Sequence, residues 1–244
     1  MIEPSSPFLK KKRKMPLNKA KGNMYPWVTE TRNPLGGACP HECSYCWVPD
    51  LAKRHPSLRE KYSGPIRLIE KELKRKLGSG KTIFVGSCND LFAEDVPAKY
   101  IYKILEHCLL WPDNTYVFQT KNPDRFRGFN TYFFPNTLLG TTIETNRDTS
   151  GISRVPSPLD RWLAFKEITD FIKFITLEPL FNFDLEILVD WIILAKPDFV
   201  NIGADSKGHG LCEPEAWKVL ALIEAVRGAG IEVREKSNLS RLKI

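Results

Sequence analysis

The sequence lacks any apolar run long enough to span a bilayer, and its beginning lacks the apolar core of a secretory signal peptide. Both absences predict a cytoplasmic protein that makes no contact with a membrane. Cysteine is scarce too, at six of 244 residues, and thiols in a reducing compartment do not form a disulfide framework. Cysteines that cluster in such a protein are expected to bind metal or to take part in redox chemistry.

Internal repeats, low-complexity linkers and the glycine fingerprint of dinucleotide-binding folds are also missing. Short apolar runs alternate instead with amphipathic stretches, such as the helices predicted from Pro97 to Pro112 and from Pro214 to Gly228. The runs predicted as strands are PWVTETR, TIFVGS, TYVFQT, TLLGTTIE, FIKFITLE, DFVNIGAD and IEVREK. This alternation predicts an α/β fold, a partial (β/α)6-type TIM barrel with an extra C-terminal strand.

The net charge of the chain is +7, and much of the excess lies in the run from Lys10 to Lys14. We predict a basic N-terminal extension over residues 1–22 and the barrel domain over residues 23–244. Such a run is either a solvated segment or an arm that binds nucleic acid through its phosphates. Charge alone does not decide between these interpretations.

Polar and ionisable side chains recur where each predicted strand ends. In a β/α barrel these ends converge on one face, where active sites are built. We therefore expect a site on that face, with Lys121 and Glu178 forming an ion pair or contacting substrate inside its mouth. The strand-end residues are Ser87, Asn89, Asp90, Gln119, Thr120, Lys121, Thr142, Glu144, Asn146, Glu178, Asn201 and Asp205.

The segment from Pro123 to Phe134 interleaves Arg125 and Arg127 with five aromatic residues. Such mixtures bind single-stranded nucleic acid by stacking and by charge. Aromatic residues in a connection between elements also pack in cores or lids, and the sequence leaves both interpretations open.

Three cysteines, Cys39, Cys43 and Cys46, stand within eight positions. Structural zinc takes four ligands, so a zinc site would need a fourth from His41 or from a distant histidine or cysteine. An iron–sulfur cubane accommodates three thiolates from one tight loop more easily, because each thiolate binds a separate iron and the fourth iron stays open. The spacing therefore favours a [4Fe–4S] cluster over zinc.

The octapeptide CPHECSYC, residues 39–46, resembles the C-x3-C-x-aromatic-C signature of the radical S-adenosylmethionine (radical SAM) superfamily. Further along the chain, FVGSCNDLFAEDVP, FQTKNPDRF, LGTTIETN, FITLEPLF and NIGADSKG look like a compact phage- and prokaryote-associated branch of it, distantly similar to spore photoproduct lyase. The resemblance implies that Cys39, Cys43 and Cys46 ligate a [4Fe–4S] cluster whose open iron binds S-adenosylmethionine.

The same resemblance implies further contacts to S-adenosylmethionine. Tyr45 would lie beside the adenine, and Gly86 with Ser87 would correspond to the family's Gly-rich segment beside the methionine amino group. The chain has Gly-Ser-Cys-Asn-Asp where the commonest form of the family has Gly-Gly-Glu, so Ser87 or Asp90 would replace the glutamate. Contacts to the ribose and the carboxylate would come from Thr142, Glu144 and Asn146.

Reductive cleavage of the cofactor would give a 5′-deoxyadenosyl radical that abstracts hydrogen from a substrate, with a flavodoxin- or ferredoxin-like protein as electron donor. We expect nucleic acid or a nucleotide derivative as substrate, because of the positive charge and the Arg/aromatic segment. Cys88 and Lys121 are candidates for a catalytic role. The alternatives are a radical SAM enzyme for a small metabolite or peptide, and a non-enzymatic zinc-bearing module that binds nucleic acid.

Overall fold

A computed structural model describes residues 24–244 of the chain. The strands, in chain order, are β1 (Glu30–Arg32), β2 (Leu35–Gly36), β3 (Arg67–Leu68), β4 (Thr82–Val85), β5 (Thr115–Thr120), β6 (Leu138–Thr142), β7 (Ile172–Leu177), β8 (Phe199–Ile202) and β9 (Glu232–Glu235). The helices are α1 (Trp47–Arg54), α2 (Pro56–Lys61), α3 (Glu70–Leu73), α4 (Ala98–Leu109), α5 (Pro158–Lys166), α6 (Leu185–Ala195) and α7 (Ala216–Gly228). Short 3-10 segments cover Pro123–Tyr132 and Ser237–Leu242.

Seven strands of the described residues form one parallel sheet in the order β1-β4-β5-β6-β7-β8-β9. Within those residues β1 and β9 are the two edges, so the sheet is a partial rather than a closed TIM barrel. The predicted fold class is confirmed, and β9 is its extra C-terminal strand. A small antiparallel pair of β2 and β3 lies outside this sheet and was not predicted.

Helix α4 shows how the sequence pattern builds the outer layer. It starts after Pro97, and Ile101, Ile104, Leu105 and Cys108 are buried in one hydrophobic cluster with residues of β4 and β5, as the periodicity predicts. Burial of each such aliphatic side chain contributes about 1.5–3 kcal/mol. Cys108 is therefore a core residue.

The inner side of the barrel is filled by aromatic residues. Tyr25 and Trp27, which precede β1, stack on each other, and both rings lie nearly perpendicular to the ring of Phe174 in β7. Gly140 in β6 lies against the Phe174 ring, where an added Cβ would come within 2.2 Å of a ring carbon. Only glycine fits at that position. These rings belong to one buried cluster that also includes Phe84 and Phe199.

The structure decides between the two interpretations of the Arg/aromatic segment. Phe126, Phe129 and Phe133 are buried in the core beside α4. Arg125 donates hydrogen bonds to main-chain carbonyls of the loop after β4. These three rings pack in the core, which agrees with the interpretation of core packing and not with stacking on bases.

The predicted extension over residues 1–22, with the run from Lys10 to Lys14, lies outside the described residues. Its separation from a domain over residues 23–244 therefore stays a prediction. From residue 24 onward, no helix has both the length and the apolar character that crossing a membrane requires.

Candidate functional site

The three cysteines lie in the loop that connects β2 to α1, and Cys46 directly precedes that helix. A tight turn shapes this cysteine loop, because the N–H of Cys46 donates to the carbonyl of Cys43 at 3.0 Å. Main-chain hydrogen bonds also attach the loop to the segment after β6. All three thiols are free of disulfides and partly buried. The loop therefore presents its sulfur atoms from a fixed backbone.

Asp90, in the loop after β4, ties the cysteine loop to the sheet. Its carboxylate lies 2.8 Å from Nε2 of His41, which belongs to the cysteine loop. The same carboxylate oxygen accepts a 2.7 Å hydrogen bond from the N–H of Lys121, just after β5. Burial would raise the pKa of Asp90, but His41 and the hydrogen bonds outweigh burial and lower it. An ionised Asp90 thus joins three segments of the chain.

Glu144, two residues beyond β6, is held by groups from three other segments. The Tyr45 hydroxyl donates to Oε1 at 2.5 Å, and Nη1 of Arg161 in α5 donates to Oε2 at 2.7 Å. Nζ of Lys121 lies 3.3 Å from Oε1. Burial alone would raise the pKa of Glu144, but Arg161, Lys121 and Tyr45 hold it at about 2. The carboxylate is therefore ionised and fully engaged.

Lys121 places positive charge beside the thiols. Burial raises the pKa of all three thiols, that of Cys39 to about 12, and Lys121 partly offsets this rise at Cys43 and Cys46. Its ammonium group also lies 5.5 Å from the centre of the Tyr45 ring. Thiols lose their protons when they bind metal, and a nearby cation favours that loss.

The loop after β4 has the tight geometry expected of a Gly-rich segment. Gly86 has a φ of +87°, and an added Cβ would lie 2.9 Å from the carbonyl oxygen of Asn89. Ser87 Oγ and the N–H of Cys88 both donate to the side-chain oxygen of Asn33, at 3.1 and 2.9 Å. Asn33, which follows β1, thus holds this loop in place.

Cys88 is partly buried and lies near the cysteine loop. Its thiol is among the groups that raise the pKa of Cys46, after burial, the main cause. It also adds to the rise that burial causes in the pKa of Tyr62, and its Sγ lies 3.8 Å from Oγ of Ser87. The structure therefore brings Cys88 to the predicted face of the barrel.

The two other residues predicted after β6 differ in position. Thr142 is buried, and its Oγ1 accepts a 2.8 Å hydrogen bond from Nε2 of Gln119 in the neighbouring β5. Asn146 exchanges hydrogen bonds with Asp184, the residue directly before α6, at 2.8 and 3.1 Å. Thr142 thus belongs to the barrel mouth, whereas Asn146 holds the start of an outer helix.

The predicted ion pair between Lys121 and Glu178 is wrong. Lys121 pairs with Glu144, while Glu178 accepts from Lys236 at 2.6 Å and from Asn238 at 3.2 Å. The sheet order explains the difference, because β6 lies between β5 and β7. Lys121, just after β5, is therefore closer to the segment that follows β6 than to the end of β7. Glu178, at the end of β7, instead meets the residues that follow β9.

Sequence reasoning missed Arg161 altogether. Its side chain has no exposed surface, and its Nη1 also donates to the carbonyl of Thr142 at 2.5 Å. Arg161 shares the buried face of α5 with Pro158, Trp162 and Phe165. An arginine at a core position of an amphipathic helix was the available signal, because a buried charge requires a partner.

The donor set fits a [4Fe–4S] cluster. Three free thiols in one loop can each bind a separate iron, and no fourth cysteine is needed if one iron keeps an open position. Across residues 24–244, no group of three or more His, Cys, Asp or Glu side chains is arranged to hold one metal ion. That arrangement is the requirement of a mononuclear site, whereas a cubane spreads its ligands over several irons.

Fold and site together define a partial β/α barrel with a three-cysteine loop at its mouth. One solved structure with this fold is a mutant spore photoproduct lyase with bound AdoMet and dinucleoside spore photoproduct, at TM-score 0.59 and 10% identity over 92% of this chain and 79% of that chain. Another mutant of that enzyme gives a TM-score of 0.60 at 10% identity, over 88% and 78% of the two chains. At this identity the likeness establishes the fold.

The sequence itself also places the chain in a family. Residues 23–209 match a family described as a protein of unknown function (DUF5131), and the chain belongs to it. Among curated proteins no sequence matches the chain.

Proposed function

We propose that the chain is a radical SAM enzyme that acts on nucleic acid or a nucleotide-derived substrate. One observation carries this proposal: two carboxylates at the barrel mouth, that of the buried Glu144 and that of the partly buried Asp90, hold the three-cysteine loop. Asp90, after β4, contacts His41 of that loop, and Glu144, after β6, accepts from its Tyr45. A loop attached in this way presents its thiols where the strands of the barrel end, the face on which barrel active sites are built.

Cys39, Cys43 and Cys46 would hold a [4Fe–4S] cluster, and its open iron would bind S-adenosylmethionine. When bound, the cluster and S-adenosylmethionine supply reductive formation of a 5′-deoxyadenosyl radical for hydrogen abstraction. The protein would position the cluster and S-adenosylmethionine and would keep water out of the site. The half-buried thiols and the aromatic layer beneath them suit that task, since reactive species survive longer where water is excluded.

The engaged side chains suggest a division of tasks among the predicted contacts. The carboxylates of Asp90 and Glu144 are engaged in hydrogen bonds and ion pairs with other residues of the chain. We therefore assign these two residues to positioning the cysteine loop. Tyr45, Gly86, Ser87 and Thr142 stay predicted contacts to S-adenosylmethionine. Asn146 would contact S-adenosylmethionine from the edge of the site. Cys88 and Lys121 stay candidates for a role in the reaction.

A nucleic-acid-derived substrate is supported by two separate points. The chain carries a net charge of +7, which favours polyanionic partners. Spore photoproduct lyase, an enzyme to whose structures this fold is similar, has been solved with a dinucleoside spore photoproduct. A small metabolite or a peptide is the rival substrate class for the same chemistry.

Anaerobic reconstitution tests the proposal. The loaded protein should contain about four irons and four sulfides per chain and absorb broadly in the visible. With dithionite and S-adenosylmethionine it should release 5′-deoxyadenosine. A colourless protein that holds one zinc and does not respond to reductant would instead identify a zinc-bearing module.

A further inference from the structure

Positive charge is concentrated in one segment of the described chain, residues 47–77, which contains α1, α2, β3 and α3. With histidine counted as neutral, it has nine lysines and arginines against four acidic residues, a net charge of +5. The other described residues, 24–46 and 78–244, have 20 basic and 24 acidic residues, a net charge of −4. We call residues 47–77 the basic segment. Among the described residues, attraction of a polyanion therefore depends on this segment.

The basic segment is attached beside the cysteine loop. Its first residue, Trp47, directly follows Cys46 and begins α1. At the end of α2, the carbonyl of Lys61 accepts a 2.8 Å hydrogen bond from the N–H of Gly37, which follows β2. Nζ of Lys61 donates at 2.8 Å to the carbonyl of Asn33, the residue that holds the loop after β4. These bonds fix α1 and α2 next to the barrel mouth.

The positive charges of the basic segment lie close to one another. Arg59 in α2 donates a 3.0 Å hydrogen bond to the carbonyl of Lys53 in the last turn of α1. Burial is the main cause that lowers the pKa of Lys61, and the charges of Lys71 and Arg75 also act to lower it. The cations of α2 and of the α3 region thus repel each other. Clustered like charges of this kind are typical of segments that bind a polyanion.

Most of these cations are accessible to a partner. Within the basic segment, Lys53 pairs with Asp50 at 3.2 Å and Arg75 pairs with Glu72 at 3.7 Å. Such exposed ion pairs contribute little, so a phosphate can replace the carboxylate at small cost. The exposed basic residues are Lys53, Arg54, Arg59, Lys71, Lys74, Arg75 and Lys76.

An exposed aromatic ring stands at the start of the basic segment. The side chain of Trp47 is 42% exposed, although Trp47 is the neighbour of the proposed cluster ligand Cys46. An aromatic ring next to basic residues suits a single strand of nucleic acid, because a base stacks on the ring while the cations bind the phosphates. An acidic protein would use the charges but offers no base for the ring. The combination therefore favours a single strand over an acidic protein.

We propose that the basic segment binds a single strand of nucleic acid, with Trp47 stacking on a base beside the cysteine loop and the exposed cations of α2 and the α3 region binding phosphates. The proposal rests on the proposed function in one respect: it makes this strand the substrate, whose reacting nucleotide lies at the barrel mouth. The side chains that make these contacts are exposed in the folded chain, so the strand needs no opening of the fold.

A paired substitution tests the contribution of the charges. Lys71→Gln combined with Arg75→Gln removes two exposed cations from the basic segment. The matched control, Lys196→Gln combined with Arg227→Gln, removes two exposed cations at the ends of α6 and α7. Those helix ends precede β8 and β9, so the control lies at the edge of the sheet opposite the barrel mouth. Both double variants change the net charge of the chain by the same amount.

The measurement is the affinity of the full-length reconstituted protein for a fluorescent single-stranded oligonucleotide of mixed sequence, over a range of salt concentrations. Each phosphate contact with a single strand contributes about 0.7 to the slope of log affinity against log salt. We expect the variant in the basic segment to have a slope that is shallower by about 1.4. The control variant should retain the slope of the wild type.

Trp47→Ala tests the stacking contact. We expect this variant to bind the oligonucleotide about tenfold more weakly with an unchanged salt slope, because stacking of a base releases no counterions. Trp217→Ala, which removes an exposed tryptophan from α7, is the matched control and should bind as the wild type does. A duplex of the same sequence keeps its bases stacked inside, so its affinity should be insensitive to Trp47→Ala.

An unchanged slope in the variant of Lys71 and Arg75, or equal affinity of the Trp47→Ala and Trp217→Ala proteins, would overturn the proposal. Absence of binding by the wild type would do so too. The rival partner has its own outcome: variants that bind the oligonucleotide normally, but whose cluster is reduced more slowly by a reduced flavodoxin, would assign the surface to the electron donor.

Iron content and release of 5′-deoxyadenosine, measured on the same preparations, keep the two proposals apart. Full iron and cofactor cleavage, with oligonucleotide binding that none of the substitutions changes, would remove the strand site and leave the proposed function standing. Strand binding that depends on Trp47, Lys71 and Arg75, in a protein that takes up no cluster, would support the strand site and end the radical SAM assignment.

Discussion

The Tyr45 hydroxyl donates a 2.5 Å hydrogen bond to Oε1 of Glu144, and the two residues are 99 positions apart in the chain. The bond joins the cysteine loop to the segment after β6, where Glu144 also meets Lys121 and Arg161. The carboxylate that holds the cysteine loop thus also balances the charges of the buried Arg161 and the partly buried Lys121.

Tyr45→Phe removes this bond while the ring keeps its edge contact with Phe181. We expect a loss of about 1.5–3 kcal/mol in the free energy of unfolding, because the bond is made to an ionised acceptor. The reconstituted variant should also retain less iron, since its cysteine loop is less constrained. Urea denaturation and iron analysis measure the two effects. Tyr132→Phe, in the 3-10 segment, is the control, and equal iron retention in both variants would count against a positioning role for Tyr45.

Glu144→Gln tests the charge balance of the buried network. At neutral pH the substitution leaves Arg161 and Lys121 without their counter-charge, and we expect it to cost about 3–5 kcal/mol of stability. Glu224→Gln, which changes an exposed carboxylate on α7, should have little effect. Denaturant titrations of the apoprotein compare the variants.

The difference in the free energy of unfolding between wild type and Glu144→Gln should depend on pH. The pKa of Glu144 falls from its ordinary 4.5 to about 2 in the folded chain. A depressed carboxyl pKa contributes stability that is fully present above about pH 4.5 and is lost as the pH falls toward 2. The stability difference between wild type and Glu144→Gln should therefore narrow across that window. A difference that stays constant from pH 6 to pH 2.5 would show that the carboxylate is not held ionised.

The barrel could be predicted from the sequence because its strands are buried on both faces. A run such as TYVFQT is apolar in its interior and polar where it ends, and β5 follows it over Thr115–Thr120. The helices α1, α2 and α3 could not be predicted in the same way, since none of them is packed as a regular apolar stripe. Their position depends on the cysteine loop and on β2 and β3.

The sequence could predict that the strand ends meet on one face, but not which of their side chains pair. Strand-end residues meet on one face by topology, and Lys121 and Glu144 lie together there. Which side chains pair depends on loop paths that no periodicity encodes, and so Lys121 was assigned to Glu178 instead. Arg161 was missed because a charged residue within a helix is read as exposed unless its position on the buried face is considered.

Cysteine substitutions separate the proposed ligands from the other thiols. Cys88→Ala should retain the full iron content, because Cys88 lies outside the cysteine loop, whereas alanine at Cys39, Cys43 or Cys46 should abolish stable cluster binding. Cys212→Ala, at an exposed position, is the control. If Cys88→Ala lowers iron content as much as the three ligand variants do, Cys88 is a ligand and the open iron of the proposal is lost. Retained iron and 5′-deoxyadenosine release with loss of the substrate product would assign Cys88 to the reaction.

Lys121→Met removes the cation beside the thiols. Arg161 still compensates Glu144, so the fold should survive. A cluster that loses a nearby positive charge is harder to reduce, and we expect its reduction potential to fall by about 60 mV, a tenfold change in a one-electron equilibrium. Potentiometric titration followed by electron paramagnetic resonance measures the shift. Lys99→Met, on the exposed face of α4, should leave the potential unchanged, and a shift of equal size there would mean that the effect is not local.

Deletion of residues 1–22 tests whether the basic extension contributes to binding of nucleic acid. The run from Lys10 to Lys14 offers five positive charges for phosphates, and each phosphate contact steepens the dependence of affinity on salt. We expect the shortened chain to bind a single-stranded oligonucleotide more weakly at low salt, with a shallower slope of log affinity against log salt. Replacing the five residues by glutamine in the full-length chain is the matched control and should reproduce the change. Identical slopes for the intact, shortened and glutamine-substituted chains would assign any binding to the barrel alone, because counterion release would then not involve the extension.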